Sequence, residues 1–118
     1  MADEQEPFDW DEWIRAGEDL GGTHYFKRTY KLSTGRIIGY PAGEKPADPK
    51  AIFIGIHESH REGDIWCGGW VGFKNVQGSH PESKHELVQV EPLTIAPSLR
   101  CGRCPSHGFI RTGRWVPA

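Results

Sequence analysis

Three cysteines and one histidine place the strongest constraint on how this chain can fold. Cys101 and Cys104 lie three positions apart, and His107 follows after three more. Cys67 is the third and last cysteine of the chain. Together these residues make one Cys₃His set, a known composition of structural zinc sites that would join two distant parts of the sequence. The spacing also fits two other interpretations, ordinary reduced cysteines or a redox-active pair of Cys101 and Cys104.

The size and composition of the chain predict one small domain with many turns. Its 118 residues include 15 glycines, 9 prolines and 5 tryptophans, so a few bulky side chains must fill a limited core. The odd number of cysteines and the lack of a long apolar run predict a cytoplasmic protein without a signal peptide or membrane span. We expect a single domain over residues 8–118, stabilised by structural Zn²⁺.

Charge is distributed unevenly along the chain. Residues 1–20 hold eight acidic side chains and one basic one, whereas the remainder holds eight acidic and thirteen basic side chains. We interpret residues 1–7 as a disordered acidic leader in front of a mildly basic body. The leader is either a solvated tail, or a segment that folds back on the body or meets a basic partner.

A short amphipathic helix is predicted near the N-terminus, within residues 8–22. Asp9 is a suitable N-cap and Glu12 has the spacing of a capping box, while the pair Gly21 and Gly22 would end the helix. One face carries Trp10, Trp13, Ile14 and Gly17. This face either docks on the domain's own sheet or enters a groove of a partner protein.

Residues 23–118 are predicted to form a β-rich body. The pattern indicates a hairpin over 24–40, a buried strand over 51–56, a Trp- and Gly-rich strand over 65–73, a weak strand over 86–91 and a closing hairpin over 108–116. The predicted fold class is therefore a β-rich α+β fold, with a small antiparallel sheet of hairpins, one N-terminal helix and a zinc knuckle.

Further histidines and acidic residues lie between two of the predicted strands, in residues 57–64. His57, Glu58 and His60 differ from the helical His-Glu-x-x-His zinc motif by one residue of spacing, so we interpret the segment as a surface loop. The remaining histidines have no evident partners; they are His24, His80 and His85.

The C-terminal residues resemble a small domain family of unknown function that occurs in phages and bacteria. The residues that carry the resemblance are Pro97-Ser98-Leu99 and the run 104–115, which matches a pattern of Cys-x-Ser-His-aromatic-x-Ile, a Gly turn and a final strand. The resemblance covers about twenty residues and implies a compact β-rich fold, often with metal-binding cysteines. Some members lie in operons for ubiquitin-like conjugation, and for these it implies a serine peptidase acting on the ubiquitin-like protein. Ser98 and Ser106 would then be the candidate nucleophiles.

Two functions are consistent with these observations. The first is a zinc-stabilised module that binds a protein partner through the Trp10/Trp13 helix or through the basic body. The second is a serine hydrolase in which His107 activates Ser98 or Ser106, with a carboxylate from Glu58, Glu62 or Asp64 to orient it. The sequence disfavours nucleic-acid binding, because the basic excess is small and the acidic leader would compete for it. The basic residues considered for that role are Lys27, Arg28, Lys31 and Arg36, or Arg100, Arg103, Arg111 and Arg114.

Overall fold

The computed structural model describes residues 8–118 and shows one short helix followed by nine strands in that range. The helix is α1 (Trp10–Arg15). The strands are β1 (Glu18–Gly21), β2 (His24–Lys31), β3 (Ile37–Tyr40), β4 (Ile52–Glu62), β5 (Ile65–Gly72), β6 (Glu86–Gln89), β7 (Thr94–Arg100), β8 (His107–Arg111) and β9 (Arg114–Pro117). The predicted acidic leader, residues 1–7, lies outside the described residues.

The strands form two antiparallel sheets. The first has the order β1-β2-β4-β5, and β3 also pairs with β2. The second has the order β6-β7-β8-β9. The prediction of a β-rich fold with antiparallel hairpins and one short helix is confirmed, with two sheets in place of the single predicted one. Among residues 8–118, no helix has the length and apolar character needed to cross a membrane.

The core lies between the two sheets because alternate residues of their strands point towards each other. The first sheet contributes Leu20, Phe26 and Ile56, and the second contributes Ile95, Leu99 and Ile110, with Phe73 and Leu93 from the connections. All of these side chains are buried. This shared core holds the ends of β4 and β5 close to the connection between β7 and β8, where the candidate site lies.

Helix α1 is shorter than the predicted helix over residues 8–22. The carboxylate of Asp9 accepts a hydrogen bond from the backbone N–H of Glu12 at 3.1 Å, which confirms the N-cap. The helix ends before Gly17, where a Cβ would lie 2.5 Å from the carbonyl oxygen of Phe26. Strand β2 therefore passes too close for any other residue, and the chain turns into β1 instead of continuing the helix.

The helix docks on the first sheet through part of its predicted face. Ile14 is buried, and the ammonium of Lys27 on β2 lies 3.7 Å from the centre of the Trp13 ring. Burial lowers the pKa of Lys27. Trp10 remains 60% exposed, next to the equally exposed Phe8. The helix thus packs in cis through Ile14 and Trp13, whereas Trp10 and the preceding Phe8 face solvent.

Candidate metal centre

The hairpin of β4 and β5 places a histidine opposite a cysteine. His60 pairs with Cys67 in the antiparallel register, so their side chains lie on the same face of the sheet. The turn between the strands contains Gly63, whose φ of 63° is in the left-handed region that favours glycine. Residues 57–62 are consequently part of a strand, and the predicted surface loop is wrong for them.

The connection between β7 and β8 brings the other two cysteines together. The backbone N–H of Cys101 donates to the carbonyl of Ser106 at 3.0 Å, which closes the loop over residues 101–106. The backbone N–H of Arg103 donates to the sulfur of Cys101 at 3.4 Å, and that of Ser106 donates to the sulfur of Cys104. Backbone N–H groups directed at sulfur favour thiolates, which is the form of cysteine that binds metal.

Four potential ligand atoms converge where the hairpin meets this loop. They belong to His60, Cys67, Cys101 and Cys104, and all lie within 4.8 Å of one another. All three cysteines are free, so no disulfide competes for the sulfurs. In a tetrahedral zinc site with Zn–S bonds of about 2.3 Å, the sulfurs are roughly 3.8 Å apart. The cluster is therefore compatible with one bound metal ion.

The position of His60 is fixed by a carboxylate on the same strand. Glu58 is buried, and its Oε2 lies 3.0 Å from Nδ1 of His60 and 3.0 Å from Nδ1 of His24. Since a carboxylate only accepts hydrogen bonds, Nδ1 of each histidine carries the proton. The other ring nitrogen of His60, Nε2, lies 3.2 Å from the sulfur of Cys104. Carboxylate–histidine pairs of this kind orient the imidazole ligands of metal ions.

Hydrogen bonding determines the ionisation of this carboxylate–histidine pair. Burial favours the neutral acid, but the hydrogen bonds from His24 and His60 outweigh it and lower the pKa of Glu58. The hydrogen bond to Glu58 in turn raises the pKa of His60 despite its burial. The far side of His24 stacks on Trp115 of β9, with ring centroids 3.7 Å apart. The second sheet thus supports His24, and through Glu58 the position of His60, by a stacked ring.

The two thiols of the loop differ in acidity. Burial opposes ionisation of Cys101, but hydrogen bonds from Arg103, Cys104 and His60 lower its pKa to about 7. The N–H of Ser106 favours the thiolate of Cys104, but burial and the neighbouring Cys101 and Cys67 outweigh it and raise the pKa to about 11. Several thiolates this close repel one another, and a cation between them would remove that repulsion.

The structure brings together three of the four predicted metal ligands, and the histidine that lies beside them is not the predicted one. Cys67, Cys101 and Cys104 lie in the cluster, but its histidine is His60, whereas the sequence predicts His107. His107 is not part of this cluster because it begins β8, where its Nε2 lies 2.9 Å from the hydroxyl of Ser98. One signal in the sequence could have found His60, because the alternation of Ile54 and Ile56 continues along β4 to Glu58 and His60.

The predicted catalytic residues are only partly brought together. Ser98 and His107 are in hydrogen-bond contact, whereas Ser106 contributes backbone groups to the cysteine loop. The guanidinium of Arg100 lies 3.3 Å from Nδ1 of His107 and can only donate to it. A neutral His107 then carries its proton on Nε2 and donates to Ser98, so it has no lone pair available to activate that hydroxyl.

The three carboxylates considered as orienting groups lie elsewhere. Glu58 is bonded to His24 and His60, Asp64 is fully exposed 3.8 Å from Arg61, and Glu62 ends the exposed tip of β4.

No protein-family model, curated protein or solved structure matches this chain. The resemblance of the C-terminal residues to a phage and bacterial family stays a prediction.

Proposed function

We propose that this chain is a zinc-stabilised binding domain in which one structural Zn²⁺ is held by His60, Cys67, Cys101 and Cys104. The convergence of these four donors within 4.8 Å is the observation that carries the proposal. Three thiolates and an imidazole are ligands that Zn²⁺ prefers, and four protein ligands leave no open position for a substrate. The ion would therefore stabilise the fold rather than take part in catalysis.

The place of the cluster explains why a domain of this size would need the ion. Two ligands come from the β4–β5 hairpin of the first sheet, and two come from the β7–β8 connection of the second. A metal bond across this junction ties together segments that are more than thirty residues apart in sequence. Ligands from such distant segments converge only in the folded chain, so the free energy of metal binding adds to folding stability.

The binding role is supported by the aromatic surface beside the helix. Phe8 and Trp10 are 61% and 60% exposed, and their rings pack together with that of Trp13. Exposed clusters of large aromatic side chains are typical of protein-binding surfaces. Nucleic-acid binding through β2 is not supported, because Lys27 and Arg28 are both buried.

The proposal is tested by measuring zinc in the purified protein by elemental analysis under reducing conditions. We expect one zinc per chain, its loss in Cys104→Ala and His60→Ala, and its retention in His107→Ala. A metal-free native protein would contradict the proposal. Retention of zinc by His60→Ala together with its loss in His107→Ala would contradict the assigned ligand set.

The hydrolase is a second candidate, supported by the contact of 2.9 Å between Ser98 and His107. Its test is reaction with a fluorophosphonate probe, which labels activated serines. The hydrolase requires that the native chain is labelled, that Ser98→Ala abolishes labelling and that Ser106→Ala does not. No labelling of the native chain would remove this candidate, and the guanidinium of Arg100 at Nδ1 of His107 is the contact that counts against it.

A further inference from the structure

Strand β5 has an edge that is open to another chain. It is the end strand of the first sheet, and within residues 8–118 only β4 pairs with it. Its eight residues, IWCGGWVG, include no charge and no proline. Each of the other edge strands has only four residues; these strands are β1, β3, β6 and β9. Since natural proteins usually shorten or charge their edges to prevent pairing, a long edge without such protection is suited to accept an added strand.

Glycine leaves one face of the strand open next to this edge. A Cβ at Gly69 would have no atom within 4 Å, so the side of the strand towards which this Cβ would point is open. Glycine inside a strand often marks a place where another backbone approaches closely. At the end of the strand, the hydroxyl of Ser83 donates to the carbonyl of Gly72 at 2.8 Å. The open part of the edge therefore ends before Gly72.

The edge borders a cleft with basic walls. Its volume is about 610 Å³, and residues 68–72 of β5 line it on one side, with parts of 79–85 and 99–103 on the other. Lys84, Arg100 and Arg103 line it, and its one carboxylate, Glu58, is buried and bonded to two histidines. The volume lies within the range of ligand-binding pockets, and the charge of its walls is complementary to an acidic ligand.

We propose that this cleft binds an extended acidic segment of a partner protein, which adds to the free edge of β5 as a further strand. The proposal rests on the binding role proposed above and adds to the aromatic surface a second binding surface, with the class of partner that it would take. Backbone hydrogen bonds to β5 would supply affinity, and the basic wall would select acidic side chains. A peptide fits these features better than a nucleic acid, because a strand edge offers alternating N–H and C=O groups that only a second peptide backbone matches.

The proposal is tested with a pool of capped heptapeptides in which Glu alternates with a mixture of Val, Ile, Thr and Tyr. The zinc-loaded ¹⁵N-labelled protein is titrated with this pool, and we expect shifts of the amides of residues 65–71. Two pools serve as controls, one with Lys in place of Glu and one with N-methyl groups on alternate residues. The N-methyl groups remove backbone N–H donors and keep the peptide from approaching β5 closely. The N-methylated pool should therefore bind roughly fivefold more weakly than the Glu pool, or weaker still.

Two variants locate the binding surface. Gly69→Val places a side chain in the open space of the cleft, and Lys84→Glu reverses one wall charge; each should weaken binding of the Glu pool roughly tenfold. Arg114→Glu is the matched control for charge, because Arg114 is exposed on β9 and does not line the cleft. It should bind the Glu pool as the native protein does.

The outcomes separate this inference from the proposed function. Zinc content and the ¹⁵N spectrum are recorded on the same samples, so an unfolded or metal-free variant is recognised before its binding is compared. Equal binding of the Glu and Lys pools, no effect of N-methylation, or no shifts in residues 65–71 would each overturn the proposal. Tighter binding of a single-stranded oligothymidylate at the same residues would overturn it in favour of nucleic acid. None of these results would change the zinc assignment.

Discussion

Two histidines of this domain sit beside nucleophilic side chains, and their surroundings give them different chemistry. His60 faces the sulfur of Cys104 through Nε2, and Glu58 accepts a hydrogen bond from its Nδ1. His107 faces the hydroxyl of Ser98 through Nε2, but its Nδ1 accepts from Arg100. Nδ1, the ring nitrogen that points away from the nucleophile, therefore faces a hydrogen-bond acceptor in His60 and a hydrogen-bond donor in His107.

This difference decides what each ring can do. A carboxylate on Nδ1 leaves the lone pair of Nε2 free to bind a metal ion or to accept a proton. A guanidinium on Nδ1 puts the proton on Nε2, where it can only donate. The comparison shows that the partners of both ring nitrogens determine what a histidine can do. A short distance to a serine or cysteine is therefore insufficient evidence of function.

The largest expected effect that separates the two histidines is on stability. His60→Ala removes a proposed metal ligand, and we expect the free energy of unfolding to fall by about 4 kcal/mol, with a similar loss when the native protein is treated with a chelator. His107→Ala removes two hydrogen bonds at a partly exposed site, to Ser98 and Arg100, and should cost about 1 kcal/mol. Urea unfolding with and without chelator measures both; equal losses in the two variants would contradict the comparison.

A smaller effect, on metal affinity, is expected from the carboxylate of Glu58, which bonds to His60. Glu58→Gln removes the negative charge and replaces one of the two oxygens that face Nδ1 of His60 by an NH₂ donor, so the imidazole of His60 would be less firmly oriented. Changes of this kind typically weaken metal binding about 10- to 100-fold. Competition for zinc with a chromophoric chelator measures the affinity. Glu62→Gln on the exposed end of the same strand is the matched control, and an unchanged affinity in Glu58→Gln would remove the proposed role of the carboxylate.

The His107 site can be changed towards the arrangement of His60. Arg100→Glu replaces the donor at Nδ1 by an acceptor, so the proton of the neutral ring should move from Nε2 to Nδ1. The nitrogen chemical shifts of the histidine ring report this tautomer directly. Because the site is partly exposed, we expect stability to change by less than about 1 kcal/mol. A native His107 that already carries its proton on Nδ1 would show that Arg100 does not control it.

The smallest expected effect is a pH dependence of stability that arises from a third histidine, His85. Burial lowers the pKa of His85, whose Nε2 lies 3.2 Å from the carbonyl of Ser98. The folded state therefore binds this proton less readily than the unfolded chain, and below about pH 6.5 His85 should reduce stability as the pH falls. Above that pH its contribution should be constant. The free energy of unfolding of His85→Gln should fall less steeply with decreasing pH than that of the native protein, as measured by unfolding at several pH values. Identical slopes would contradict the assignment.

The sequence predicts the hairpins and the cysteine loop well because their signals are local. The turns at residues 33–35 and at Gly113 and the capping residue Asp9 all lie within the elements that they determine. The helix boundary is predicted less well, because the close approach of Phe26 to Gly17 depends on tertiary packing. The histidine of the cluster is missed for the same reason. His107 is near Cys104 in sequence, whereas His60 is near it only in space.

The most direct test of the proposed metal centre is X-ray absorption at the zinc edge of the purified, reduced protein. The proposed ligand set predicts three sulfur neighbours at about 2.3 Å and one nitrogen neighbour at about 2.0 Å. The nitrogen neighbour should disappear in His60→Ala and remain in His107→Ala. A native protein that contains no zinc, or whose zinc has its imidazole from His107, would contradict the account.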